Sequence, residues 1–231
     1  MKKQDKILEF KGVSRSFSQG GDKVIALKNT DFAVHPGELI AIIGPSGSGK
    51  STFLTIAGGL QSPSTGKIIV NGIDITGLDA KQLSAIRFNQ IGFILQASNL
   101  VPFLTVEKQL QLRDAVSRRP INRKAMDALF KELGILKLRK KFPSELSGGE
   151  RQRAAIAKVL YGKPRLILAD EPTASLDTQK AYEVVELLAK ETHGKDRAVI
   201  MVTHDERLIK YCDKVYEMRD GALTLRAKNQ R

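Results

Sequence analysis

The 231-residue chain carries 38 Lys and Arg against 25 Asp and Glu, a formal net charge of +13, and a single cysteine, Cys212. That length supports one substantial core with room for a subdomain, and one cysteine excludes an intrachain disulfide and a cysteine-based metal cluster. No apolar stretch approaches the roughly 20 residues that span a bilayer, and Met1-Lys2-Lys3-Gln4-Asp5 lacks the apolar run of a signal peptide, so the expected location is the cytosol, with any channel on another polypeptide.

Ile7-Leu8-Glu9-Phe10 and Val24-Ile25-Ala26-Leu27 read as short strands around the polar turn Gln19-Gly20-Gly21-Asp22, forming an antiparallel layer. The apolar run Leu39-Ile40-Ala41-Ile42-Ile43 then leads into Gly44-Pro45-Ser46-Gly47-Ser48-Gly49-Lys50-Ser51, which fits G-x-x-x-x-G-K-[ST]. In the context of strand, glycine loop and helix, backbone N–H groups wrap around phosphates. Lys50 reaches the terminal phosphates as a point charge, and the Ser51 hydroxyl can ligate magnesium. A helix is expected from Lys50 towards Gly58, followed by the strand and turn Lys67-Ile68-Ile69-Val70-Asn71-Gly72.

The strand Gly92-Phe93-Ile94-Leu95 is expected to end at Gln96, and residues 97–161 read as helix-rich, with Asn122 as an N-cap. Asn99-Leu100-Val101-Pro102-Phe103-Leu104-Thr105-Val106 is an apolar patch on a connection, read either as a contact surface or as a buried loop turn. Between Arg113 and Lys141 stand ten basic residues against three acids, over half of the net charge. Such a face is solvated, or it meets nucleic acid or an anionic membrane. Leu146-Ser147-Gly148-Gly149-Glu150 opens the next helix, and by itself is either an ordinary cap or a ring of N–H groups offered to an anion.

Arg165-Leu166-Ile167-Leu168-Ala169-Asp170-Glu171 is an apolar strand ending in two acids. Asp170, at the carboxyl end, suits a water-mediated hold on magnesium, and Glu171 is the candidate for polarising an attacking water. The alternative is that both acids cap the turn Pro172-Thr173-Ala174. A last core strand, Val199-Ile200-Met201-Val202-Thr203, precedes His204, while His35 and His193 read as structural and Cys212 as a small apolar residue in a helix. A doubly wound α/β core with an antiparallel layer and a helical insertion fits this order.

Together the phosphate loop, Gln96, Leu146 to Glu150, Asp170-Glu171, Ser175-Leu176-Asp177 and His204 resemble the ordered motifs of ABC transporter ATPases, covering residues 44 to 204. The resemblance implies one ABC ATPase domain over residues 1–231, with core 1–96 and 162–231 and a helical subdomain at about 97–161. It implies ATP and Mg2+ as cofactors, bound by residues 44–51 with Thr52, and by Phe17, an adenine-stacking aromatic where tyrosine is common. Gln96 would sense magnesium and the attacking water, and Ser51, Gln96 and Asp170 would hold the metal. Glu171, His204, Lys50 and Gln96 would carry the chemistry. Ser147, Gly148, Gly149, Glu150 and Asp177 would serve the nucleotide of a second copy, because each motif occurs once; Glu150 stands where many members have glutamine. The partners so implied are an identical subunit, a separate permease received near residues 99–106, and the cytoplasmic membrane surface, at which the protein would sit peripherally. Nucleic-acid-processing relatives carry long coiled coils or zinc-binding cysteines between the motifs, which this chain lacks, so no nucleic acid is expected. Residues 91–106, 170–177 and 203–205 resemble the macrolide-export and lipoprotein-release type, and within that group residues 99–104 and 203–208 look most like the ATPase subunit of bacterial haem-efflux transporters. Antimicrobial-peptide, macrolide or lipoprotein transport is the alternative.

Overall fold

The computed structural model describes residues 5–19, 22–174 and 176–226, so Gly20 and Gly21 of the expected turn, and Ser175, lie outside the described residues. The first layer is an antiparallel sheet of β1 (Leu8–Gln19), β2 (Asp22–Val34), β4 (Thr65–Val70) and β5 (Ile73–Asp74), in the order β2-β1-β4-β5. The two strands expected to be short are long. Register shifts between Phe10 and Val13 and between Val13 and Arg15 bend β1, which keeps its pairing with β2 while breaking the alternation that marks a strand in sequence.

The second layer holds β3 (Leu39–Ile43), β6 (Ile91–Ile94), β7 (Leu166–Asp170), β8 (Ala198–Val202), β9 (Lys214–Arg219) and β10 (Ala222–Arg226), in the order β10-β9-β3-β8-β7-β6. All neighbours are parallel except β10 with β9. Every residue of β3 and β8 is buried, as strands covered on both faces require. Their side chains alternate between two cores. Ile40, Ile42, Ile200 and Val202 face α1 (Lys50–Ala57) and the antiparallel sheet; Leu39, Ala41, Val199 and Met201 face the helical side. Phe53 of α1 packs 4.9 Å from Phe10 and 5.2 Å from Phe32, ring centre to ring centre, and so ties the two sheets through one helix.

Between β6 and β7 run α3 (Val106–Ser117), α4 (Arg123–Glu132) and α5 (Gly148–Tyr161); α2 (Ala80–Gln90) precedes β6, and α6 (Thr178–Lys190) follows β7. Asn122 caps α4 by accepting the Ala125 N–H at 3.0 Å, as expected. The apolar connection before α3 is divided rather than exposed as a whole. Val106 is fully buried and Leu100 packs against the core, while Phe103 is 76% exposed. The buried Gln109 amide anchors this connection, accepting from the Val101 N–H and donating to the Val101 and Leu104 carbonyls at 2.7 and 3.0 Å. Cys212, expected within a helix, is the buried residue that ends the 3-10 helix Glu206–Tyr211.

Candidate active site

The carboxyl ends of β3, β8, β7 and β6 lie along one edge of the parallel sheet, where an open α/β sheet presents its ligand. β3 delivers the loop 44–49, β8 delivers His204, β7 delivers Asp170 and Glu171, and β6 ends at Ile94, two residues before Gln96. Ser46, Gly47, Gly49, Lys50, Ser51, Thr52, Gln96, Asp170, Glu171 and His204 line one cavity of about 470 Å³ together with Ala26, Ala174 and Val202. Residues 119 positions apart in sequence are thus brought within reach: the Ser51 hydroxyl donates to Asp170 Oδ2 at 3.4 Å.

The loop geometry follows from its composition. Gly49 sits at φ 107°, in the region that side chains avoid, and a Cβ there would overlap the Ala26 carbonyl. Gly49 is also the N-cap of α1, so that no side chain caps the helix and no acid stands in its first turn. Its N–H groups and positive dipole end are free for an anion. Lys50 Nζ folds back over the loop, donating to the Gly44 and Pro45 carbonyls at 2.8 and 2.6 Å, and Ser48 Oγ is buried without a partner. These donors fit a polyphosphate.

The carboxylates differ in environment. Burial, followed by the neighbouring Glu171, pushes the Asp170 carboxyl above the ordinary aspartate value, outweighing the opposing pull of Ser51 and Lys50. That negative charge is under-compensated, and a hydroxyl, an amide and a carboxylate are the hard oxygen donors that magnesium takes alongside phosphate oxygens. No cluster of three His, Cys, Asp or Glu side chains suited to a metal occurs among the described residues. Glu171 has a left-handed backbone at φ 47°, uncommon for a residue other than glycine, with its N–H donating to the Val202 carbonyl at 3.0 Å. His204 Nδ1 lies 3.0 Å from its carboxylate. A carboxylate beside an imidazole at the mouth of a phosphate-sized cavity can orient and deprotonate water.

The remaining expected site residues stand outside this cavity. Phe17, on β1, is 36% exposed, with the Arg15 guanidinium 4.6 Å from its ring centre. Ser147 caps α5: its Oγ accepts the Glu150 N–H at 3.3 Å, and the Glu150 carboxylate accepts the Ser147 N–H at 2.7 Å. That second bond holds the Glu150 carboxyl below its ordinary range. Gly149 is buried, and a Cβ there would crowd the Lys180 side chain at 3.0 Å while making ordinary contact with Leu176. Asp177 caps α6 by accepting the Lys180 N–H at 3.0 Å, while Lys180 Nζ, 2.6 Å away, lowers its pKa. Ala26 and Val202 contribute backbone and apolar surface, which no sequence motif marks.

A family model described as ABC transporter matches residues 27–174, well over half of the chain. The chain belongs to the ABC transporter family. Relatives from Staphylococcus saprophyticus and Staphylococcus haemolyticus, each provisionally named hemin import ATP-binding protein HrtA, are 44% and 42% identical over 94% of this chain and 98% and 99% of their own. Among solved ABC structures, the dimeric ATP-binding cassette MJ0796 in a post-hydrolysis state with ADP and Pi superposes with a TM-score of 0.85 at 32% identity, covering 94% of this chain and 98% of that one. The cbiO1 protein of Clostridium perfringens, part of the ABC transporter complex cbiONQ, gives a TM-score of 0.84 at 31% identity over 96% and 88%. This protein is accordingly an ATP-binding ABC ATPase, the ATPase subunit of a transporter.

Proposed function

We propose that this ATPase drives haem out of the cell through a separate permease, working as a homodimer at the cytoplasmic face of the membrane. The likeness that carries the haem reading is the 44% identity, over nearly the full length of both chains, to a relative provisionally named for hemin. That name says import. The outward direction is favoured by the resemblance of residues 91–106, 170–177 and 203–205 to export-type and release-type ATPases. No helix among the described residues is long and apolar enough to cross a membrane, which is why the reading assigns the pathway to another polypeptide.

Within the proposed cycle, the loop Gly44 to Thr52 binds the phosphates, Phe17 stacks on adenine, and Ser51, Gln96 and Asp170 hold Mg2+, which neutralises phosphate charge when bound. Glu171 accepts the proton of the attacking water, and His204 and Gln96 orient it against the terminal phosphate. Ser147, Gly148, Gly149 and Glu150, with Asp177, close over the nucleotide of the other copy. The helical segment 97–161 then transmits closure to the permease.

The test is cellular. Cells lacking this chain should accumulate haem and grow poorly in its presence, and the purified complex with its permease should show haem-stimulated ATPase activity. Lower haem content in such cells would reverse the direction, and unchanged haem handling would remove haem from the reading.

A further inference from the structure

The turn between α3 and α4 carries a concentration of positive charge that the nucleotide site does not use. The three acids between Arg113 and Lys141 are already engaged: Asp127 with Arg139 at 3.0 Å, Glu132 with Lys190 at 2.7 Å, and Asp114 accepting the Tyr161 hydroxyl at 2.6 Å. Arg139 is the only one of the ten cations there with an ion pair among the described residues, leaving Arg118, Arg119, Arg123 and Lys124 on the turn without one. Ile121 and Val116, 46% and 62% exposed, stand among them.

The turn is held in shape. Arg118 is left-handed at φ 53°, the Arg119 N–H donates to the Asp114 carbonyl at 2.9 Å, Pro120 restricts the next step, and Asn122 caps α4. Beneath it lies a recess of about 400 Å³ that gathers Arg113, Arg119 and Lys163, with Ser117 and Asn122, over the Tyr161–Asp114 pair. Arg113 is held partly buried by the Phe88 and Gly162 carbonyls, with no carboxylate in ion-pair range among the described residues.

We propose that this turn docks on an anionic bilayer, with a lipid phosphate seated between Arg113, Arg119 and Lys163 and Ile121 entering the headgroup boundary. Cations without ion pairs, interleaved with an exposed aliphatic side chain, match both halves of such a surface. Nucleic acid would use the cations but offers nothing to Ile121. The inference rests on the membrane location proposed above. Its assay uses the isolated chain without permease or haem, so it can fail while haem transport stands, and the reverse.

The full-length protein is sedimented with vesicles of phosphatidylcholine alone or mixed with phosphatidylglycerol. Binding is expected only with the anionic lipid, and to fall as salt rises. Replacing Arg118, Arg119, Arg123 and Lys124 together by Gln should weaken it by at least about 50-fold, taking the roughly fivefold per cation at the surface as screened to nearly threefold. Ile121→Ser should weaken it about threefold. Basal ATPase rate and thermal midpoint serve as controls for folding; should the fourfold variant unfold, Ile121→Ser and the salt series decide. Equal binding to phosphatidylcholine alone, or full binding by the variants, overturns the proposal. So does tight binding of an RNA or DNA oligonucleotide lost in the fourfold variant without any vesicle binding.

Discussion

The first turns of α1 and α5 follow similar small-residue loops and are built oppositely. α1 opens at Gly49 with no side-chain cap and no acid, and its first residue is Lys50. α5 opens at Ser147 with a reciprocal capping box, and its third residue is the carboxylate Glu150. A free helix N-terminus favours an anion by about 0.3–1 kcal/mol, and a lysine adds a full charge. α1 can therefore hold phosphate unaided. At α5 two of the donors that an anion would want already have partners, and a negative charge stands beside them. In the proposed cycle, phosphate would join this end with its charge already compensated by the Lys50 and magnesium of another subunit, and the two ends would serve successive steps, capture and then closure.

The largest expected effect tests the end result of that order. Glu171→Gln keeps the shape of the side chain but removes the base, so turnover should fall by about 100-fold to 10,000-fold while ATP binding persists and a stable dimer accumulates on size exclusion. Near-normal phosphate release would remove Glu171 from its role. Next, Lys50→Ala should lower ATP affinity of the single chain by about 100-fold in titration calorimetry, from loss of the charge-assisted contacts. Ser147→Ala should leave that affinity unchanged and still abolish most turnover. Mixed in equal amounts, the two inactive variants should recover about a quarter of wild-type activity. Half of the dimers are then mixed, and each mixed dimer has one site with both Lys50 and Ser147 intact. No recovery, or a loss of single-chain affinity in Ser147→Ala, would put both helix ends in the same chain's site and dissolve the contrast.

How far this contrast was visible beforehand depends on whether side chains or backbone carry it. The phosphate loop, the acids after β7 and the Ser147 turn were legible because their chemistry needs particular residues at contiguous positions, and the hydrophobic runs of β3, β7 and β8 frame them. What was not legible is made by backbone or by distant packing. The Ala26 carbonyl that requires Gly49 belongs to an unremarkable strand residue. The bulges that lengthen β1 disrupt the very alternation used to find strands. Gln109, which no sequence motif marks, is buried because the loop before α3 needs its amide, and that loop's apolar patch divides between core and solvent. Phe17 is not among the residues lining the cavity, and its stacking role rests on resemblance.

A smaller effect sharpens the capture end. Asp170 has a carboxyl raised by burial and by Glu171, so its contribution to stability is intact below the ordinary aspartate value and is lost as the pH rises through the raised one. At neutral pH the ionised form therefore burdens the nucleotide-free fold. Asp170→Asn should raise the thermal midpoint without nucleotide, and should cancel the additional stabilisation that Mg2+ gives with ATP, which for the wild type amounts to about 1.4 kcal/mol for each tenfold that Mg2+ tightens ATP binding. A lowered midpoint would mean that the Asp170 charge is compensated within the fold and is not held open for a cation.

The smallest expected effect separates the two functions of Glu150. Glu150→Gln keeps an amide oxygen to accept the Ser147 N–H, so the cap survives, while the negative charge leaves the α5 N-terminus. Unfolding free energy should fall by no more than about 0.5 kcal/mol, the loss of one favourable charge at a helix end. If α5 closes on phosphate, the same substitution removes a repulsion in the closed state, and the ATP concentration for half-maximal turnover should drop about twofold to threefold, an advantage that shrinks as salt screens it. Turnover reduced tenfold with the fold intact would give the opposite result: the Glu150 carboxylate would then be needed for closure itself, and α5 would recognise something other than bare phosphate oxygens.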